Sequence, residues 1–371
     1  MTLAQRIGWS ALIAWEMWLI FGPAVVHVVK KIAVKVGQGS TSARKAGDVE
    51  FTYDNGDFDG ARGAQISGSA LTVAARVYST ISDCWTLTKP EVNFLIALTT
   101  FTGFYLGHAH QQGRFPFFLL ARTVIGTLLV ASGTGTLNQY IERRFDAEMR
   151  RTAHRPLAAG RLKTSIGLAL GVTLAGLGSI FLAVWVNLLA SALALFTLSS
   201  YLLIYTPLKR RSPACTIIGA IPGAMPPLIG WAGASGHLSS DAWLLCGILF
   251  FWQFPHFMAI AWMYRDDYQR ARYRVLPVGD TRCVFVNLMT VLPLLVLIPL
   301  TLLPAFSGHA NAIYALGALL AGSVFLYRGS VLALQKSNQH ARQLLLASIA
   351  YLPVVFALLI TNSKWRVSRR D

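Results

Sequence analysis

Residues 138–146 read Asn-Gln-Tyr-Ile-Glu-Arg-Arg-Phe-Asp, and they directly follow a long apolar run from Phe117 to Leu137. On a helix, residues four apart lie on the same face, so Asn138, Glu142 and Asp146 would form one row. Protein carboxylates commonly hold Mg²⁺ together with the phosphate groups of a substrate. The stretch therefore predicts that Asn138, Glu142 and Asp146 bind a metal ion and a diphosphate at the end of an apolar helix.

The chain continues with Met149-Arg150-Arg151-Thr152 and Arg155-Pro156-Leu157. Guanidinium groups bind phosphate oxygens through parallel N–H groups, so Arg151 and Arg155 are predicted to bind the substrate. The alternative is a solvated basic loop that only fixes membrane topology. Topology alone does not require an asparagine and two acids at helical spacing.

The composition indicates an all-α integral membrane protein. Of 371 residues, 54% are hydrophobic and only 13% are charged, whereas a soluble domain has about 25% charged residues. Apolar runs of about 20 residues, each long enough to cross a bilayer, recur along the chain. About nine transmembrane helices are predicted, at Glu91–Ala109, Phe117–Leu137, Thr164–Val184, Asn187–Tyr205, Ala214–Ala232, Asp241–Tyr264, Cys283–Leu303, Asn311–Tyr327 and Leu344–Thr361.

Three parts are predicted along the chain. Residues 1–86 form an N-terminal extension, in which 7–29 could be an extra membrane helix, an interfacial helix or an uncleaved signal-like segment. A flexible linker rich in Gly, Ser, Asp and Asn follows it. Residues 87–363 form the membrane domain, and residues 364–371 form a basic tail.

The net charge of +17 is concentrated in the loops. The loops after the second, fourth, sixth and eighth predicted spans are rich in Lys and Arg, and by parity they lie on one side. The positive-inside rule makes that side cytoplasmic, which would place the tail outside against the rule. The charge therefore reflects membrane topology, and no nucleic-acid partner is expected.

A second acid cluster follows the sixth span, in the sequence Tyr264-Arg265-Asp266-Asp267. Adjacent aspartates on a helix point about 100° apart, so only one of them is expected to face the site squarely. Both are candidate catalytic residues, with Asp267 as the metal ligand and with Tyr264 and Arg265 as substrate-binding residues. The alternative is that the aspartates only balance neighbouring arginines.

Two further motifs carry polar residues next to the membrane. Residues 205–210 read Tyr-Thr-Pro-Leu-Lys-Arg, and the side chains of Tyr205, Lys209 and Arg210 are predicted to bind the leaving diphosphate. The alternative is that the two cations only mark the end of a span and fix its topology. In residues 252–257, Trp-Gln-Phe-Pro-His-Phe, the polar residues Gln253 and His256 lie at membrane depth, which indicates a functional site. Gln253 is predicted to bind substrate, and His256 is a candidate catalytic residue. His256 could ligate iron, act as a base, or bond a carbonyl freed by the proline.

Together these elements resemble the UbiA-type intramembrane prenyltransferases, and within them the branch that farnesylates heme. The resemblance runs from Leu87-Thr88-Lys89-Pro90 to about Thr361. It implies transmembrane helices around a central cavity. Three residues depart from the family pattern. Glu142 stands where most members have Asp, Asp266 stands where they usually have Glu, and Arg272 replaces a usual glycine.

The resemblance also implies a reaction. Mg²⁺ and the basic loops would draw charge off farnesyl diphosphate, and a vinyl group of heme b would attack the farnesyl cation before water adds, giving heme O. The expected partners are membrane lipid, heme b and farnesyl diphosphate; contact with heme A synthase is left open. A bacterial inner membrane with cytoplasmic active-site loops is expected, with the mitochondrial inner membrane as the alternative location.

Two other functions remain as alternatives. A UbiA-type enzyme could prenylate another acceptor, such as a quinone precursor or chlorophyllide, although the Pro-His motif of residues 252–257 argues against it. An anion transporter would usually show broken helices in two halves and acids at mid-membrane, whereas these acids lie at span ends.

Overall fold

The computed structural model describes residues 77–109, 114–277 and 283–362, and these form helices and connecting loops. The predicted extra helix at 7–29, the linker and the basic tail lie outside the described residues. The helices are α1 (77–87), α2 (Pro90–Ala109), α3 (Phe117–Asp146), α4 (Thr164–Trp185), α5 (Leu188–Ser199), α6 (Cys215–Gly223), α7 (Pro226–Ser235), α8 (Ser240–Met263), α9 (Arg265–Arg270), α10 (Val284–Phe306), α11 (Ala312–Gln335) and α12 (Asn338–Asn362).

The all-α membrane architecture is confirmed. Within the described residues, eight helical segments are long and apolar enough to cross a membrane. They correspond to the second to ninth predicted spans. The first predicted span forms α2, a helix of 20 residues, but polar residues such as Asn93 and His108 lower its mean hydropathy.

The fourth span does not stop at Ser199. It continues through a π-helical turn, Ser200–Tyr205, and a short α-helical end, Thr206–Leu208. A π-turn inserts a residue into the helical repeat and often occurs at functional sites. Here the π-helical segment ends at Tyr205, four residues before Lys209.

The fifth span, predicted as one helix, is divided into α6 and α7. Pro226 begins α7, and Pro222 lies in the last turn of α6. Proline lacks the N–H that would continue the helical ladder, which explains the break. Non-helical backbone at membrane depth is tolerated only where protein or a cavity surrounds it, and most residues of this span are buried.

Helix α7 packs closely against α2 because glycine allows their backbones to approach. A Cβ atom built on Gly103 would lie 2.0 Å from the carbonyl oxygen of Pro227, and one on Gly230 would lie 2.0 Å from that of Thr100. Small residues at four-residue spacing, here Gly103 and Gly107, are typical of close helix pairs in membranes. The start of α2 lies beside the end of α3, where Asn93 donates to Ser132 at 2.7 Å and Gln139 donates to the carbonyl of Leu87 at 2.8 Å.

The ends of the helices that carry basic loops meet at one end of the bundle. The backbone N–H of Arg274 donates to the carbonyl of Lys209 at 2.8 Å, and the N–H of Arg151 donates to Asp267 at 3.1 Å. The guanidinium of Arg265 donates to Asn338 at 2.9 Å. The loops that parity places on one side are thus in contact, as predicted.

Candidate active site

The row of polar residues at the end of α3 exists as a buried face. Helix α3 continues unbroken through Asp146, so Asn138, Glu142 and Asp146 lie on successive turns of the same side. Their exposed fractions are 1%, 4% and 1%. Buried carboxylates need charged or hydrogen-bonding partners, because desolvation of an unpaired charge is very unfavourable.

Each member of the row has such a partner. The ammonium of Lys209 donates to both oxygens of Glu142, at 3.0 and 3.1 Å. The guanidinium of Arg155 donates to Asp146 at 2.8 Å. Three different loops therefore bring cations or polar groups to one helix end, because Asn138 also accepts a hydrogen bond from Lys89 at 3.2 Å.

The second acid cluster divides as the helical spacing predicts. Asp267 is buried and accepts hydrogen bonds from the backbone N–H of Arg151 and from the guanidinium of Arg270. The side chain of Asp266 is 82% exposed and lies 3.9 Å from Arg265. The structure thus leaves Asp266, a predicted catalytic residue, outside the site, because the 100° turn between neighbours directs it to the surface.

One loop connects the two acid clusters. Within residues 147–163, the N–H of Arg151 holds Asp267 while the side chain of Arg155 holds Asp146. The hydroxyl of Thr152 donates to the carbonyl of Asp146 at 2.9 Å and fixes the start of this loop. The two acid clusters consequently share one end of the helix bundle.

A cavity of about 250 Å³ opens beside the acid row. Its lining carries three formal cations and one acid, so it suits an anionic ligand. The guanidinium of Arg151 stacks over the ring of Tyr264 at 4.8 Å, and its buried Nε has no hydrogen-bond partner among the described residues. The cavity is lined by Thr86, Lys89, Glu91, Gln139, Arg151, Thr152, His154 and Arg155.

Three groups at this end have shifted pKa values. Burial alone would lower the pKa of Lys209, but Glu142 and nearby tyrosines raise it well above its ordinary value, so Lys209 stays charged. Burial, assisted by Arg155 and Lys209, lowers the pKa of Lys89 to about 7. Burial and then Glu142 raise the pKa of Tyr273, so its hydroxyl keeps its proton.

The donor set fits a hard divalent cation that is completed by a substrate. Mg²⁺ is usually bound by one or two carboxylates plus phosphate oxygens and waters, and seldom by an all-protein cage. Among the described residues, no three His, Cys, Asp or Glu side chains form such a cage. Instead Glu142 and Asp146 each face a cationic nitrogen, at 3.0 and 2.8 Å.

The polar residues of α8 make contacts with other helices. The amide nitrogen of Gln253 donates to the carbonyls of Ala220 and Leu249, both at 3.1 Å, so Gln253 ties α8 to the last turns of α6. A Cβ on Gly223 would lie 2.0 Å from the Oε1 atom of Gln253, which explains glycine there. His256 bonds the hydroxyl of Ser348 on α12 at 2.8 Å, and not a freed carbonyl.

Other predicted binding residues lie at the edge of the site or outside it. The ring of Tyr205 lies under the ammonium of Lys209 at 4.8 Å. Arg210 is exposed and stacks over Phe145 at 4.2 Å, and Arg265 bonds Asn338 and the carbonyl of Trp262. The structure therefore does not bring Arg210 and Arg265 to the acid row.

The structure adds residues that the sequence did not single out. Lys89 and Thr206 both bond Asn138, at 3.2 Å each, and Tyr273 packs within 5.7 Å of the Lys209 ammonium. Lys89 precedes Pro90 at the basic end of a span. From the sequence alone, a lysine there cannot be distinguished from a charge that only sets membrane topology. Tyr273 lies in a loop with no periodic pattern, so no sequence signal indicated it.

Comparison with known proteins agrees with this arrangement. A model of the UbiA prenyltransferase family matches residues 96–359. The protoheme IX farnesyltransferase of Solibacter usitatus (strain Ellin6076) is 46% identical over 282 residues, 74% of this chain and 97% of the relative. That of Koribacter versatilis (strain Ellin345) is 43% identical over 293 residues, 77% of this chain and 94% of the relative.

Solved structures share the fold at low sequence identity. A digeranylgeranylglyceryl phosphate synthase aligns with a TM-score of 0.61 and 15% identity, over 76% of this chain and 98% of its own. The apo UbiA homolog from Aeropyrum pernix K1 aligns with a TM-score of 0.56 and 16% identity, over 71% and 97%. A UbiA homolog from Archaeoglobus fulgidus, bound to GPP and Mg²⁺, aligns at 0.52 and 14%, over 74% and 99%.

Proposed function

The chain belongs to the UbiA prenyltransferase family, and from that premise we propose that it transfers the farnesyl group of farnesyl diphosphate to a vinyl group of protoheme IX. Water adds in the same reaction, and the product is heme O. The observation that carries the proposal is the convergence of two acid clusters and several cations at one end of a membrane helix bundle.

The diphosphate binds at the acid row. Asn138, Glu142, Asp146 and Asp267 would hold Mg²⁺, which would supply Lewis-acid stabilisation of the diphosphate. Lys209 and Arg155, which bond Glu142 and Asp146 in this structure, would donate to phosphate oxygens of the bound substrate. Arg151 adds a guanidinium whose Nε has no hydrogen-bond partner in the part of the chain that the structure describes.

These groups assist departure of the diphosphate. The allylic C–O bond breaks, and its electron pair goes to the diphosphate oxygen, where the cations stabilise the developing charge. The farnesyl carbon then forms a C–C bond with the vinyl group, and water adds to the resulting cation with loss of a proton. The apolar helices exclude water until that carbon–carbon bond has formed.

The location follows from the charged end. We assign the basic end of the bundle to the cytoplasmic side, in a bacterial plasma membrane like that of the bacterial relatives. A mitochondrial inner membrane remains the alternative. Whether the chain contacts heme A synthase, the next enzyme in heme A synthesis, can be tested by co-purification from membranes.

The direct experiment supplies the purified full chain with protoheme IX, farnesyl diphosphate and Mg²⁺, and detects heme O by mass. Removal of Mg²⁺ with a chelator is expected to stop product formation. In parallel reactions that supply a quinone precursor or chlorophyllide in place of protoheme IX, a prenylated product would identify another acceptor. Transport of the diphosphate into vesicles without any product would contradict the enzyme assignment.

Neighbouring aspartates provide a matched pair of variants. Asp267→Asn removes a buried charge from the site and is expected to lower turnover by about 100-fold or more. Asp266→Asn changes an exposed side chain and should leave turnover near that of the unaltered protein. Equal activity of the two variants would exclude Asp267 from the metal site.

A further inference from the structure

His256 lies in the membrane interior with its ring held on one side. It is seven residues before the end of α8, so it lies about 10 Å along the helix from the acid end. The ring stacks on Trp252 with centroids 4.9 Å apart and an interplanar angle of 26°. The indole N–H of Trp252 donates to the carbonyl of Ser348 at 2.8 Å. Trp252 and His256 are thus both hydrogen-bonded to Ser348 of α12.

The hydrogen bonds of Ser348 determine which ring nitrogen of His256 carries the proton. The hydroxyl oxygen of Ser348 lies 2.6 Å from the carbonyl oxygen of Leu345, and two oxygens approach so closely only with a proton between them. Serine has one hydroxyl proton, so the hydroxyl must accept in its contact with Nδ1 of His256, at 2.8 Å. His256 Nδ1 therefore donates, and in the neutral ring Nε2 keeps its lone pair.

The Nε2 atom is free to bind a ligand. It has no hydrogen-bond partner among the described residues, and the side chain of His256 is only partly buried. A neutral imidazole nitrogen with its other N–H hydrogen-bonded is the usual state of a histidine that ligates a metal.

We propose that Ser348 is a positioning residue for the heme substrate: it fixes His256 in the tautomer whose Nε2 ligates the iron of protoheme IX. This inference rests on the proposed function, because it takes heme as the acceptor. Iron ligation at this depth holds the macrocycle inside the bundle, with the diphosphate-binding end about 10 Å away along α8. A base role for His256 would need the same lone pair but no iron bond.

The test uses ferric protoheme added to the purified full chain without farnesyl diphosphate, followed by absorption and electron paramagnetic resonance spectroscopy. The unaltered protein is expected to show a nitrogen-ligated iron. His256→Ala should lose that signature, and added imidazole should restore it. An unchanged spectrum in His256→Ala would overturn the iron bond.

Ser348→Ala is expected to weaken heme binding by about 10-fold or more, as loss of a partner to a metal ligand usually does, and to broaden the iron signature. Ser179→Ala is the matched control, because Ser179 is also a buried serine that donates to a carbonyl of its own helix. If Ser348→Ala does not fold, Ser348→Thr and Ser348→Cys replace it; threonine should keep the signature and cysteine should weaken it. A Ser348→Ala or Ser348→Cys protein with unaltered heme affinity and spectrum would overturn the role of Ser348.

The same samples separate the two proposals. If the protein forms heme O but its heme spectrum does not change when His256 or Ser348 is replaced, only the iron ligation is refuted. A spectrum that depends on both residues, without heme O formation when farnesyl diphosphate and Mg²⁺ are added, would refute the farnesyl transfer and leave heme ligation in place.

Discussion

At the scale of single residues, the site is a set of acids already neutralised by local cations. Glu142 pairs with Lys209 and Asp146 with Arg155. Removing one partner of a buried pair leaves an uncompensated charge, which is strongly destabilising. Variants at these positions should therefore be judged by stability as well as by activity.

Lys89 gives a prediction of pH dependence. Its pKa is lowered to about 7 in the folded chain, first by burial and then by Arg155 and Lys209, from 10.5 ordinarily. Between these values the unfolded chain binds more protons, so this group makes the metal-free protein more stable as pH rises from about 7. Lys89→Met should reduce that rise, measured as the thermal midpoint from pH 6.5 to 9.

The control for this measurement is Lys163→Met, because Lys163 is exposed at the start of α4. It should keep the pH dependence of the unaltered protein. A Lys89→Met protein with the same dependence as the control would contradict the lowered pKa.

Arg272 gives a prediction of backbone strain. It has a φ of 54°, in the left-handed region that favours glycine, and its side chain is exposed. A non-glycine residue there costs about 1 kcal/mol. Arg272→Gly should therefore raise the free energy of unfolding by up to about that amount, observed as a higher thermal midpoint in detergent.

Arg272→Ala separates the backbone effect from the lost charge, since alanine keeps the strain and removes the guanidinium. Alanine should leave the midpoint nearly unchanged. If alanine and glycine raise it equally, charge repulsion in the basic loop, and not φ, would explain the gain.

At the scale of helices, the lengths of the apolar runs predicted where the spans lie, but they did not predict where a helix is interrupted. The sequence from Ala214 to Ala232 was predicted as one span, but Pro226 and the turn before it divide it into α6 and α7. Neighbouring helices cover the break, and the amide of Gln253 donates to the carbonyl of Ala220 in the last turns of α6. A hydropathy window averages over such a break, because both halves are apolar.

The contact of α2 with α7 can be tested with one methyl group. Gly103→Ala would place a Cβ 2.0 Å from the Pro227 carbonyl, a backbone atom that cannot move away by itself. The helices would have to separate, so a loss of about 1–3 kcal/mol of stability is expected. The measurement is the thermal midpoint of the purified variant.

Gly176→Ala is the control, because its Cβ would meet nothing within 4 Å. In a helix interior this change should be neutral or stabilising by up to about 1 kcal/mol. Equal midpoints for the two variants would show that the close approach of α2 and α7 carries little of the stability.

At the scale of the whole molecule, charge is segregated to one end. The loops after α3, the fourth span, α8 and α11 are basic, and hydrogen bonds join them. Helix α10 begins at Val284, after the basic loop that follows α8, and Ser307 follows the other end of this helix. The bundle therefore has one highly basic face and one face with few cations.

This polarity predicts the orientation in the membrane. In a protein without its native cysteines, Ala159→Cys, in the exposed loop after α3, should react with an impermeant thiol reagent only in inside-out vesicles. Ser307→Cys should react only in right-side-out vesicles. Reaction of both variants in the same vesicles would contradict the assigned topology.

The membrane class, the positions of the helices, the basic end and the row of Asn138, Glu142 and Asp146 could all be predicted from the amino-acid sequence. These features are local: bilayer thickness sets span length, and the helical repeat sets which residues share a face. Spacing also indicated that only one of Asp266 and Asp267 would face the site squarely, and Asp267 was predicted as the metal ligand.

Contacts between distant residues followed from tertiary packing alone. Packing left Asp266 exposed, brought Lys89 to Asn138 across 49 positions, and joined His256 to Ser348 across 92. Such contacts depend on how helices cross and on where glycines let backbones approach, and the periodicity of one segment contains no information about the segment against which it will pack.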